Sequence, residues 1–430
     1  MTVTGRAVVV ALLGLVPVAL VPGWTTFLGW LGVLVLLVGF DLLLAASPRA
    51  LVLEREPLGS VRQQEPTESS VVIGNPGRRR LRAVVRDAWQ PSAGASPARQ
   101  RVVVPGGERR RVTTALVPTR RGDRLSPGLA VRSLGPLGVA ARQRSLDLPG
   151  RLRVLPPFRS RRHLPSRLAQ LREIDGKSAV QLRGQGTEFD SLREYVDGDD
   201  VRSIDWRATA RRQTVVVRTW RPERDRRVLL VVDAGRTAAA RVGDEPRLDA
   251  AMDAALLLAA LASRAGDRVD LLLHDRRVVG RVEGASRSDL LQRMVDVMAP
   301  VDPALVESDW SMVAAQVRGR LSRRSLVVLL TPLEAGSVDS GLLPVLAQIS
   351  RRHAVVVASV TDPELTEMAS RRGDATAVYD AVAATRSQLE AETVTGWVNR
   401  LGVEVVRGDP DSLPPALADR YLAMKAAGRL

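Results

Sequence analysis

At 430 residues the chain exceeds what one ordinary hydrophobic core supports, so two or three domains are expected. It has no cysteine, which excludes disulfides and thiolate metal sites, and its three histidines, His163, His274 and His353, are too dispersed to form a zinc or iron centre. The formal charge of +16 is almost wholly arginine, Lys177 and Lys425 being the only lysines; with few aromatics and no reading motif, this favours anionic lipid or coding bias over nucleic acid.

No charged residue occurs from Ala7 to Phe40, "AVVVALLGLVPVALVPGWTTFLGWLGVLVLLVGF", and Pro22-Gly23 interrupts the run near its middle. One crossing of a bilayer takes about 20 apolar residues, so the run is too long for one span and predicts a transmembrane helical hairpin over 1–48. Arg6 ahead of it, Arg49 and Arg55 behind it and the uncharged turn "PGWTT" put both ends in the cytoplasm. The expectation is a multi-pass protein of the cell membrane with two spans and most of the chain cytoplasmic. A cleaved signal peptide is the rival, but "VALVPG" offers no small-x-small cleavage site.

From 49 to 155 the chain changes to short β-branched runs, "ALVLERE", "SVVIGNPG", "LRAVVRDAW", "RQRVVVPGG" and "RVTTALVPTRRGD", punctuated by Gly, Pro and Asn. That pattern predicts a β-sandwich-like domain. No catalytic spacing occurs in it.

Residues 156–226 contain a polar segment in which acids and arginines alternate around aromatics. Glu188, Arg193, Tyr195, Asp199, Asp200, Arg202, Asp205 and Trp206 are its candidate functional residues. Such alternation makes either an ion-paired collar docked through its aromatics or a carboxylate active site, and the chemistry leaves both open.

Over 227–430, apolar runs Val228–Val232, Val269–Leu273, Leu326–Leu330, Val355–Val360 and Val403–Val406 alternate with helical stretches such as "RLDAAMDAALLLAALASRAGD". This is βα alternation, which predicts an α/β doubly wound, mostly parallel sheet whose ligand edge lies at the carboxyl ends of its strands. The fold class expected is therefore multi-domain: hairpin, β-sandwich-like domain and doubly wound α/β domain.

The block "GTEFDSLREYVDGDDVRSIDWRATAR", followed by "PERDRRVLLVVDAGRT", resembles the bacterial family called domain of unknown function 58. The resemblance runs from the apolar segment to at least Ser325–Thr331. It implies that 227–430 is a von Willebrand factor A-like domain. It also implies partners: MoxR-type AAA+ ATPases and other membrane proteins with A domains, in chaperone-like assemblies with no established reaction.

An A domain holds Mg²⁺ through an Asp-x-Ser-x-Ser loop, a threonine and a later aspartate, a set of oxygens suited to octahedral coordination. Here Asp233 matches, Gly235 stands at the first serine, Thr237 replaces the second, and Ser308 in "VESDW" takes the threonine position. Pro332 sits where the aspartate belongs, with Glu334 two residues on. The resemblance thus implies a degenerate metal site at Asp233, Thr237 and Ser308, with no cofactor expected and Mg²⁺ the ion it would take.

"DAGRT" also satisfies the Asp-x-Gly-x-Thr pattern of actin-like sugar kinases, yet a helix begins near Arg247 where that fold continues in strands, and no second phosphate loop follows. The function expected is a non-enzymatic, membrane-tethered binding or scaffold module that presents its A-type edge and collar to a cytosolic partner, a MoxR-type ATPase. The alternative is a carboxylate-dependent enzyme using Asp199, Asp200, Asp205 and Asp233.

Overall fold

Alternation of apolar and polar residues sets the strands of the N-terminal part: in Leu81–Asp87 the side chains of Leu81, Ala83 and Val85 are buried while Arg82 and Arg86 face outward. The computed structural model describes residues 2–181, 188–221, 226–334 and 338–430, with backbone alone for 175–181, 188–191, 219–221, 339 and 340. These residues form two compact units, Met1–Leu155 and Pro156–Leu430.

In the first unit a four-stranded sheet runs in the order Val52–Arg55, Thr67–Gly74, Arg109–Leu116, Ala95–Ser96. A six-stranded sheet is built around the long antiparallel pair Gly122–Leu134 and Ala140–Leu155. Ile73 of the first sheet and Leu81, Val85 and Val131 of the second share one core. The sheets are also bridged by a buried ion pair. The Arg55 guanidinium donates to both Asp87 oxygens at 2.8 Å, and the hydroxyl of Ser126 and the indole N–H of Trp89 donate to the same carboxylate.

Ahead of these strands, Trp24–Leu44 is one continuous helix of 21 residues. It is long and apolar enough to cross a membrane, by length and composition. The two-span hairpin expected from the sequence needs correction, because among the described residues this is the one such helix. The preceding run breaks into Gly5–Leu13 and Leu15–Leu20. Pro17 lacks the N–H a continuing helix needs, and Gly14 gives no propensity to resist the break. Even end to end, Gly5–Leu20 reaches roughly 24 Å at 1.5 Å per residue, short of a hydrocarbon core of about 30 Å. The two-span, cytoplasm-facing topology is therefore not supported.

The foot of the long helix is fastened to the β strands. Asp41 is fully buried and accepts the amide hydrogens of Leu137, Val139 and Ala140 at 2.8, 2.5 and 2.9 Å. Gly135 makes room for it, since a Cβ there would lie 2.4 Å from the Asp41 carboxyl.

The second unit is organised by six strands: β1 (Arg227–Asp233), β2 (Arg268–His274), β3 (Val278–Val282), β4 (Leu326–Leu330), β5 (Ala354–Val360) and β6 (Glu404–Gly408). Their spatial order is β3-β2-β1-β4-β5-β6, parallel except for the edge strand β3. Five are the apolar runs read from the sequence; β3 was not anticipated. The order reverses at β1, so the crevice between the carboxyl ends of β1 and β4 is the switch point where doubly wound sheets place their sites.

The helix Arg247–Arg264 follows β1 and is buried from Leu248 to Ser263 except at Ala250, which explains its Ala and Leu content on every face. The C-terminal helix Leu413–Ala426 is pinned by a buried knot: Tyr421 donates to Asp267 at 2.5 Å and Lys425 pairs with the same carboxylate at 3.1 Å. Apart from this sheet stand two paired strands, Glu188–Glu194 and Val216–Arg221, with the short helix Trp206–Arg212 between them.

Candidate functional site

β1 ends on Asp233, and the strand's full burial delivers that carboxylate to the switch point only 2% exposed. A carboxylate this deep is tolerable only if its lone pairs are satisfied. They are. One oxygen accepts the Gly235 amide at 2.8 Å and the Ser308 hydroxyl at 2.5 Å; the other accepts the hydroxyls of Thr331 at 2.7 Å and Thr237 at 3.3 Å. Three loops therefore converge on one charge: the turn after β1, the segment before the helix Trp310–Arg320, and the end of β4.

The structure brings Asp233, Thr237 and Ser308 together. Thr331 joins them without a sequence signal of its own, because the A-type loop pattern calls for an acid near Pro332 and not for the hydroxyl beside it. Glu334 is paired with Arg247 at 2.6 Å and Glu307 with Arg236 at 2.7 Å. Neither has a hydrogen bond to the hydroxyl cluster.

Gly235 is explained by crowding. A Cβ at this position would lie 2.2 Å from the Ser308 hydroxyl and 3.0 Å from the Val306 carbonyl. The serine of the A-domain pattern cannot be added while Ser308 bonds Asp233. The cleft above holds about 10 Å³ of free volume, the lower limit for a single water. A resident Mg²⁺ does not fit this donor set: the buried carboxylate is saturated by four donors, and the acid that shares its cleft, Glu307, is paired with Arg236. Among the described residues no group of three or more His, Asp or Glu side chains has metal-holding geometry.

Beside Asp233, at the end of β2, His274 is wholly buried, its ring edge-on to Trp310 at 4.9 Å. Nδ1 lies 3.4 Å from the Asp275 carbonyl, and Nε2 has no partner among the described residues. Burial pulls its pKa below the usual histidine range, against the attraction of Asp233, Asp275 and Asp309.

The acid and arginine segment forms its own small structure on the two paired strands. Arg193 donates to Asp199 at 2.5 Å, and the Val196 amide donates to the other oxygen of that carboxylate at 3.0 Å. Asp200 caps a short turn through the Arg202 amide. Asp205 caps the helix Trp206–Arg212, accepting the amides of Arg207 and Ala208, and its second oxygen takes Arg218 at 2.8 Å. The Arg193 hydrogen bond holds the Asp199 pKa below the usual carboxylate range, and for Asp205 the Ala208 amide, followed by Arg218, does the same. Tyr195 is half-buried, and Trp206 is 66% exposed. The Glu188 side chain lies outside the described residues. Asp199, Asp200 and Asp205 thus each serve local backbone or arginine, and no described hydrogen bond joins them to Asp233.

Residues 191–407, just over half of the chain, match the profile of a family described as "Protein of unknown function DUF58". Uncharacterized proteins of Mycobacterium tuberculosis and Mycobacterium bovis are 29% identical over 198 residues, 45% of this chain and 61% of theirs. The match thus spans less than two thirds of those relatives' length. Among solved structures, a conserved hypothetical protein, BatB, from Bacteroides thetaiotaomicron aligns with 47% of this chain and 99% of its own at 13% identity and a TM-score of 0.32. A PapD-like domain of human CEP192 aligns with 25% and 88% at 13% identity and a TM-score of 0.18. Neither likeness bears on function at these values.

Proposed function

Because the chain belongs to the DUF58 family, we propose that it is a non-catalytic binding module of that family, whose second unit is a von Willebrand factor A-like domain with a disabled metal site. One observation carries this reading. At the switch point of the sheet, where a working site would leave an acid free for metal or substrate, Asp233 is closed by three hydroxyls and an amide, with space above it for about one water.

What remains at that edge is a rim made by Arg236, Glu307 and Ser308 over the buried carboxylate. The paired-strand segment adds a second surface, on which Asp199, Asp200 and Asp205 are committed to an arginine or to cap amides. Both suit protein recognition. The apolar helix Trp24–Leu44 serves as a tether to a bilayer, and the partner is a MoxR-type AAA+ ATPase, a choice that rests on the family resemblance.

The test is co-purification of the full chain from native membranes in mild detergent, with mass spectrometry of what accompanies it. An ATPase of that type should accompany the unmodified chain and be lost with Asp205→Ala or Trp206→Ala. If none accompanies the unmodified chain, the partner assignment is wrong. Magnesium should leave the unfolding temperature unchanged; a rise that depends on Asp233 would restore a working metal site.

A further inference from the structure

Among the described residues, the paired strands Glu188–Glu194 and Val216–Arg221 hydrogen-bond to no other sheet. An isolated two-stranded pair is marginal in water unless something covers an apolar face. Val216 and Val217 are buried, yet Val196, Val201 and Trp206 remain 62%, 60% and 66% exposed. Trp206 walls an open hollow of about 340 Å³ that Arg202, Arg207 and Arg218 also line.

The charge of the hollow is uncompensated. Asp205, its one acid, is spent on two backbone amides and Arg218. Arg202 and Arg207 use only their backbone amides; their guanidinium groups have no hydrogen-bond or ion-pair partner among the described residues.

We propose that this hollow binds an acidic segment of a partner protein, seating an apolar side chain against Trp206 while flanking carboxylates take the forks of Arg202 and Arg207. An aromatic wall beside unpaired arginines is the composition of an interface hot spot, and a planar guanidinium matches a carboxylate in two hydrogen bonds. A second copy of this chain is disfavoured by its formal charge of +16. A bilayer is flat, whereas this surface is concave. The inference rests on the binding-module reading and adds the chemistry of the partner.

The experiment uses the full chain in neutral-lipid nanodiscs and a fluorescein-labelled peptide in which Glu and Asp flank Leu and Phe. Anisotropy should show saturable binding that weakens at least about tenfold in Trp206→Ala. It should weaken similarly in the double variant Arg202→Glu, Arg207→Glu, and fall as salt rises from roughly 50 to 300 mM. Trp206 is exposed, so its variant should keep the parent's circular dichroism and unfolding midpoint. A peptide with Lys in place of the acids should not bind.

Equal binding by Trp206→Ala overturns the proposal. So does co-flotation with vesicles of roughly 30% phosphatidylserine that the arginine variant abolishes while the peptide does not bind, which would make the surface a lipid contact. If the peptide fails but an ATPase still co-purifies, only this inference falls. If the peptide binds and no ATPase is found, the hollow stands and the partner assignment falls.

Discussion

Gly235 and Ser308 compete for one space, and that competition is measurable. Gly235→Ser should push the Ser308 hydroxyl off Asp233 and destabilise the fold by about 1–3 kcal/mol in urea unfolding. With Ser308→Ala already in place the same change should cost clearly less, a coupling that a double-mutant cycle detects. Purely additive costs would show that the two positions do not compete. Thr331→Val removes one of four donors and should cost about 1–2 kcal/mol.

Asp253 gives a pH signature. Burial pushes its pKa up to about 6, although Ser160 donates to it from both its amide and its hydroxyl. An unfolded aspartate ionises near pH ~3.9. Between that value and 6 the folded chain therefore keeps a proton the unfolded chain has released. This contribution is full below pH ~4 and is lost as the pH rises through about 6, amounting to about 2–3 kcal/mol. Asp253→Asn should remove the decline. The parent-minus-variant stability should fall across that window; a rise would show the opposite shift.

At the scale of elements, the four central strands of the parallel sheet were legible because burial on both faces makes each one a short Val and Leu run between polar turns, and the half-buried edge strand Glu404–Gly408 was legible from its valines. The edge strand Val278–Val282 was not, since it is half-exposed, carries Gly280, and follows β2 by a tight turn without a turn signature. Hydrophobicity alone also misjudged the N-terminal run, where composition promised two spans and one proline cut the first short. The meeting of Asp233, Thr237 and Ser308 could be read from a known loop pattern. Thr331 and the His274–Trp310 contact could not, because long-range packing places them and no local spacing marks them.

The ion pair that bridges the two sheets of the first unit belongs to this scale. Arg55 and Asp87 are only 6% and 2% exposed at their side chains. Asp87→Asn should cost about 3–5 kcal/mol, because it strands a buried guanidinium. Replacing both residues by apolar ones of similar volume should cost much less. If the single and double changes are equally damaging, the pair is not acting as a charge couple.

At the scale of the molecule, the division at Leu155 and Pro156 implies separable folding. A chain begun at Pro156 should be soluble and unfold cooperatively in urea, with its aromatic and helical signals changing together. Non-coincident transitions would show that this unit needs the first.

The burial of Asp41 bears on how the apolar helix is joined to the β strands. A leash would let the helix drift and turn about the β strands. With the foot of the apolar helix gripped by three amides, rotation there must break buried hydrogen bonds, so the joint behaves as a stiff strut and carries torque. A tug on the strands is felt along the helix, and a turn of the helix is felt by the strands.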